Sequence, residues 1–445
     1  MKNVVSAICS NQAGARFAPC PPVTFREDTE GVENELLCIY PEVAYQEIEG
    51  FGGALTEGVA HILARMPAEK RDEVLRAYFD PTDGIGFNFC RTNIASCDFS
   101  TEVYSYDDVP EDRQLKHFTI ERDRKEVLPM LKRTLEIAPD VKMLASPWSP
   151  PAWMKTNGDM CNGGALRPEC REAWSNYFVK YIQAYQEAGV PIWGLTVQNE
   201  AKAPQSWESC VFTAEEEKDF VRDYLGPALH KAQMDDVKIM IWDHNKERVV
   251  ERATAAMEDP EAAKYIYGAA VHWYSGDHFD ALRVTHEKYP SLRLSATENS
   301  MGCNPMYTWA MGEKVAHHMI GDLSNYVSSW YIWNLILDEH GMPNHDHING
   351  KSPMMVNFGM GGTLYYAAGY YYTGHISKFI HPGARRVASS VYTELLDTVT
   401  CRNPDGEMVT VVLNRNDIPV KFILRCENQL AEFTSEPHSI MTLRY

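Results

Sequence analysis

The sequence has no CxxC pair, no glycine-rich phosphate loop behind its early strands, no basic excess and no long apolar run. Each absence removes a class of function. Without CxxC, neither a zinc ribbon nor a redox dithiol is indicated, and the eleven irregularly spaced cysteines read as buried thiols. Without GxGxxG or GxxxxGK[ST], a nucleotide-binding reading loses its main support. A formal charge of -19 argues against binding to a nucleic-acid backbone or an anionic membrane, but leaves neutral substrates open. No stretch approaches the roughly 18 uninterrupted apolar residues of a membrane span, so no integral membrane contact is expected. The opening MKNVVSAICSNQAG has six consecutive small or apolar residues, too few for a secretion signal. A soluble, cytoplasmic protein is expected.

What is abundant is aromatic: 11% of the chain is Phe, Trp or Tyr. Such rings pack cores, and they also stack on the apolar faces of sugars. Between residues 46 and 378, short runs rich in Val, Ile and Phe alternate with amphipathic helices. The helix REAWSNYFVKYIQAYQEAGVP carries Trp174, Tyr177, Phe178, Tyr181, Ile182 and Tyr185 on one face and stops at Gly189 and Pro191. Thr213 and Glu216 form a capping box before a second helix, and RKEVLPMLKRTLEI predicts a third, bent at Pro129.

The apolar runs are the segment 49–56, then GIGFNFCR (84–91), VKMLASP, IWGLTVQNE, VKIMIWD, YGAAVHW, LRLSATE and NYVSSWYIW. They are continuously apolar rather than alternating, as suits parallel strands covered by helices. Eight βα units favour a closed (β/α)8 barrel, a TIM barrel; an open doubly wound sheet is the alternative. Residues 1–45 and 379–445 read as short strands with turns, and are expected to combine into one β-sandwich beside the barrel.

In such a barrel the reacting groups sit where strands end. Here the strand ends supply Arg91 with Asp98, Trp148, Asn199 with Glu200, Asp243-His244-Asn245, His272-Trp273-Tyr274, Glu298, and Trp330 with Trp333. Two carboxylates among tryptophans and hydrogen-bonding side chains fit glycoside hydrolysis. One carboxyl group protonates the leaving oxygen. The other attacks the anomeric carbon at a separation of about 5 to 5.5 Å, or activates water at about 6.5 to 9.5 Å. Glu200, after an apolar strand and near a second carboxylate, is expected to have a raised pKa and act as acid/base. Glu298 is expected to be kept ionised by Arg91 and Tyr274 and to act as nucleophile. Asn199 would donate to a sugar 2-hydroxyl, and Asp98 and Trp148 would grip other hydroxyls and a ring face. Plainer readings stand beside these. A Glu ending a strand is often its first solvated residue. Arg91 could be a structural ion-pair member, His272 a satisfied core histidine, and Trp330 or Trp333 core packing. His317 and His318 read as helix surface or packing. His345-Asp346-His347 reads as a loop shaping the pocket rather than a metal site.

The stretches EGFGGALTEGVA, RTNIASCDFSTEVYSYDD, ASPWSPPAWMKTNG, LTVQNE, VHWY, TENS, WNLILDEHGMPN and HISKFIHPGARRV resemble glycoside hydrolase family 30, the glucosylceramidase-like β-glycosidases. The resemblance spans roughly residues 49 to 387. It implies a barrel fused to a β-sandwich from both termini, hydrolysis of β-glycosides with retention, and no cofactor. By position it implies Glu200 as acid/base and Glu298 as nucleophile, with Arg91, Asp98, Trp148, Asn199, His272, Tyr274 and Trp333 lining the glycone subsite. Ala201 departs from the Asn-Glu-Pro common in the family. Asn349 is a candidate counterpart of a pocket asparagine, and WDHNKERV also differs. The partner implied is a small β-glycoside or oligosaccharide. The expected activity is that of an exo-acting β-glucosidase, with β-xylosidase next. β-Fucosidase, β-glucuronidase and β-1,6-glucanase remain alternatives on the same scaffold. A non-catalytic carbohydrate-binding barrel is the reading from another class.

Overall fold

The computed structural model describes residues 3–302, 309–345, 351–352, 355–358 and 363–445. Eight parallel strands close into a barrel: β1 (Gly50–Ala54), β2 (Phe89–Ile94), β3 (Lys142–Pro147), β4 (Ile192–Thr196), β5 (Lys238–Asn245), β6 (Ile266–His272), β7 (Arg293–Glu298) and β8 (Val327–Asn334). Closure occurs between β8 and β1, where Ser329 lies opposite Gly50 and Asn334 opposite Ala54. The glycines of β1 allow close approach to β2. A Cβ on Gly52 would stand 2.3 Å from the carbonyl oxygen of Phe89.

Side chains on a strand alternate sides, so every second residue faces the barrel interior. Phe89, Leu144, Met240, Ala270 and Tyr331 form one buried interior cluster. Phe89 meets Trp193 at 5.1 Å and Tyr331 at 5.3 Å between ring centroids. This layer plugs the barrel. Two residues further along β2 and β3 come Arg91 and Ser146, so the next layer is polar. It forms the floor of the site.

The helices follow their sequence signals, with one exception. In the helix Arg171–Glu187 the six apolar residues named above are all buried. Thr213 Oγ1 accepts from Glu216 N at 3.1 Å, and Glu216 Oε2 accepts from Thr213 N at 2.9 Å, completing the capping box. The exception is Pro129. The helix starts at Val127, not Arg124. Pro129 therefore lies in its first turn, where the missing N–H has no intrahelical partner to lose, and it causes no bend. Among the cysteines, Cys9, Cys90, Cys97, Cys170, Cys210, Cys401 and Cys426 are buried thiols. No helix among the described residues is long and apolar enough to cross a membrane.

The strands flanking the barrel form one ten-stranded ladder that folds over its own core as a β-sandwich. Val4–Asn11 pairs with Ser439–Arg444, so both ends of the chain enter it. Leu36–Ile48 pairs antiparallel with Ala384–Val391 and parallel with Val420–Cys426. Val5, Phe25, Leu37, Val412, Phe422 and Leu443 are among its buried residues.

Histidines join sandwich to barrel. His317, on the helix Trp309–Ser324 after β7, bridges Asp397 of the sandwich at 2.9 Å and Asp277 at 3.2 Å. His438 of the sandwich bridges Glu313 of that helix at 2.8 Å and Asp417 at 2.9 Å. The pKa of His317 is raised, foremost by its hydrogen bond to Asp397, and that of His438 foremost by its bond to Asp417. A raised pKa adds stability that is fully present below the unfolded value of about 6.5 and is lost as pH rises through the folded value. The melting temperature is therefore expected to fall as pH rises above about 6.5. The double variant His317→Asn, His438→Asn should show a flatter profile in calorimetry. An unchanged slope would refute this link.

Candidate active site

The polar layer above the barrel plug is built around Arg91. It lies in the middle of β2 rather than at its end, as the run 84–91 suggested. Ile85 and Phe87 are buried loop residues, Phe87 packing on Tyr78 and Phe79, and they imitate the start of the strand. Arg91 is fully buried. Its Nε donates to Ser146 Oγ at 3.1 Å, and its Nη1 to Glu298 Oε2 at 2.5 Å. Its Nη2 donates to Asn199 Oδ1 and Asp243 Oδ2, both at 2.8 Å. Burial opposes its charge, but Asp243 and Glu298 more than offset this and its pKa rises. Trp148 and Trp333 lie beside the guanidinium at 5.0 and 5.4 Å, and 5.4 Å from each other.

Glu298 ends β7. Its second oxygen, Oε1, accepts from Tyr274 Oη at 2.7 Å. Glu200 lies four residues beyond β4, where φ is +49°. Its backbone N donates to Asp243 O at 2.8 Å, and its Oε2 accepts from Gln205 Nε2 at 3.1 Å. Oε1 faces His272 Nδ1 at 3.5 Å. Glu200, His272 and Glu298 each present a carboxylate oxygen or ring nitrogen within 4.8 Å of the others.

The electrostatics correct one expectation. A raised pKa was expected for Glu200. Burial does push it up, but His272 and then His244 and Gln205 outweigh that and hold it near 2. His272 moves the other way. Burial lowers its pKa, yet Glu298, Asp243 and Glu200 carry it to about 9. The two shifts run in opposite directions, each in part through the Glu200–His272 contact.

A cavity of about 470 Å³ opens above these residues. Of the nine residues the sequence proposed, Asp98, Trp148, Asn199, Glu200, Tyr274 and Glu298 line it. Arg91 and His272 are buried behind it, in contact with the two glutamates. Trp333 backs Trp148 and packs on Phe99 at 5.9 Å. Trp330 belongs elsewhere: its Nε1 donates to Asp322 on the helix behind β8. His345 lies against Asp98, its N donating to Asp98 O at 3.2 Å, and its ring pairs with Glu208 at 3.1 Å. Asp346, His347 and Asn349 lie outside the described residues.

Sequence reasoning missed Gln205, Trp207 and Lys314, which also line the cavity, and the part played by Asp243. Asp243 was visible as an acid ending an apolar run. Gln205 and Trp207 come from an irregular loop and Lys314 from a helix, so no strand-end signal marks them.

Residues 48–380 match the model of the glycosyl hydrolase family 30 TIM-barrel domain, and residues 383–443 that of the family 30 beta sandwich domain. The lysosomal acid glucosylceramidase of Mus musculus is 37% identical over 409 residues, covering 86% of this chain and 78% of the relative. Among solved structures, SrfJ from Salmonella typhimurium superposes with a TM-score of 0.96 at 33% identity, over 99% of both chains. The endo-beta1,6-glucanase BT3312 gives 0.88 at 28% identity, again over 99% of both. The chain therefore belongs to glycosyl hydrolase family 30, with that family's barrel and β-sandwich, and is a glycoside hydrolase.

Proposed function

We propose that the protein is an exo-acting β-glycosidase that retains anomeric configuration, with Glu298 as nucleophile and Glu200 as acid/base. The observation that carries this is the spacing: oxygens of the two carboxylates approach within 4.8 Å. That bound lies nearer the roughly 5 to 5.5 Å of a nucleophile and its acid than the roughly 6.5 to 9.5 Å that admits an attacking water. Glu298 attacks the anomeric carbon while the protonated Glu200 gives its proton to the departing oxygen. Water then enters, loses a proton to Glu200 and releases the sugar from Glu298. Arg91 and Tyr274, donating to Glu298, orient it and receive the charge that returns to it. Asn199 accepts from Arg91 through Oδ1, which turns its Nδ2 donor toward the sugar 2-hydroxyl.

Exo action is supported by the contacts gathered on the Asp98 side of the cavity, where Trp148 packs on Trp333 and His345 N donates to Asp98 O. A gluco-configured glycone, hence β-glucosidase activity, is our choice within the family. The glucosylceramidase among the relatives supports it, and β-xyloside is next. A panel of aryl β-glycosides (glucoside, xyloside, fucoside, galactoside, glucuronide), followed by proton NMR, tests the reading. The glucoside should turn over fastest and release the β-anomer first. Inactivity on the whole panel, or initial release of the α-anomer, would overturn it.

A further inference from the structure

Asp243 is bonded to partners of both glutamates. It sits in a bulge of β5: Ala270 of β6 lies opposite Trp242 and Val271 opposite His244, which leaves Asp243 between registers. Trp242 and Asp243 both have positive φ, 75° and 47°. The bulge turns the Asp243 side chain into the barrel, where it is fully buried. There it accepts four hydrogen bonds. Oδ2 takes Arg91 Nη2 at 2.8 Å and Thr196 Oγ1 at 2.6 Å. Oδ1 takes Thr297 Oγ1 at 2.6 Å and His272 Nε2 at 3.0 Å. Through Arg91 it reaches Glu298; through His272 it reaches Glu200.

Donation from Nε2 to Asp243 fixes a proton on that nitrogen. Nδ1 is then the ring atom that can exchange a proton, and it faces Glu200 Oε1 at 3.5 Å. We propose that Asp243 is a positioning residue that makes His272 the proton store of Glu200, while its other oxygen fixes the guanidinium of Arg91 that holds Glu298. This rests on the roles given above to the two glutamates. His272 is faced by Glu200 from the loop after β4, by Asp243 and His244 from β5, by Tyr274 beyond its own strand and by Glu298 from β7. Arg91 stands behind Asp243. The raised pKa of His272 and the lowered one of Glu200 agree with a proton kept on the ring.

When substrate fills the cavity, the Nδ1–H bond of His272 breaks and an O–H bond forms on Glu200, leaving a neutral imidazole. That proton passes to the glycosidic oxygen as its bond to the anomeric carbon breaks, and Glu298 bonds to that carbon. In the second half, water gives its hydroxyl to the anomeric carbon and its proton to Glu200. The proton returns to Nδ1 and Glu298 departs as a carboxylate.

The test is Asp243→Asn in the full chain, with His272→Asn beside it. For a phenyl β-glycoside, whose leaving group needs protonation, kcat/KM near neutrality should fall by about 100-fold or more; for the 2,4-dinitrophenyl glycoside it should fall far less. The alkaline limb of the kcat/KM profile should move to lower pH in both variants. The double variant should lose little more than His272→Asn alone on the phenyl substrate. Should neither variant fold, nitrogen NMR of histidine-labelled wild-type protein decides: His272 must be an imidazolium at neutral pH. Equal loss on both substrates with an unmoved alkaline limb, or a neutral His272, would overturn the proposal. If Glu200 and Glu298 variants are inactive while Asp243→Asn shifts nothing, this inference fails and the assignment of the glutamates stands.

Discussion

Glu298→Ala (E298A) is expected to lower kcat/KM on an activated aryl β-glycoside by about 10⁴-fold or more, and added azide should restore part of the rate with an α-glycosyl azide as product. The geometry explains both halves. Glu298 is fixed from two sides, by Arg91 Nη1 at 2.5 Å and Tyr274 Oη at 2.7 Å. Asp243, the other carboxylate on Arg91, is already held by four donors. Truncation leaves Arg91 facing an empty volume, and a small anion is attracted to it. Azide then attacks the anomeric carbon from the nucleophile's side, in one displacement instead of two, so the product is inverted. Full activity in the variant would remove Glu298 from the mechanism.

Glu200→Ala (E200A) is expected to separate substrates by leaving group. A poor leaving group such as an alkyl alcohol needs its proton, and loss of about 10²- to 10⁴-fold is expected there. A 2,4-dinitrophenolate departs without help, so its glycoside should lose little in the first step. Glycosyl-enzyme should then accumulate, because deglycosylation still needs the base. A burst of dinitrophenolate in stopped-flow measurements is the signature. Equal loss for both substrates with no burst would deny Glu200 its role.

The barrel was legible because its strands are short apolar runs between amphipathic helices, and such patterns arise from local periodicity. Glu298 was legible for a related reason: it is the last residue of β7 and its first carboxylate. Arg91 was put at the wrong height in its strand, since a buried loop containing Ile85 and Phe87 looks like a strand when only hydropathy is read. The bulge at Asp243 depends on the pairing of β5 with β6 and leaves no local trace. The direction of the Glu200 pKa was missed for the same kind of reason. Its value is set by His272, from a strand some seventy residues away in the chain, at a contact that only the closed barrel creates. In the sandwich, the strands were readable one by one. The parallel pairing of Leu36–Ile48 with Val420–Cys426 joins opposite ends of the sequence and was not.

The backbone of Glu200, at φ +49°, sets activity against thermal tolerance. A side chain in the left-handed region costs about 1 to 2 kcal/mol, a cost glycine does not carry. The fold therefore holds the carboxylate proposed as acid/base at the expense of folding free energy, through the bond from Glu200 N to Asp243 O and the loop that carries Gln205. Selection on stability alone would favour glycine here and discard the carboxylate. A library sorted only by heat resistance would drift toward inactive enzymes at this position, and a screen for more robust variants has to keep turnover as its second axis.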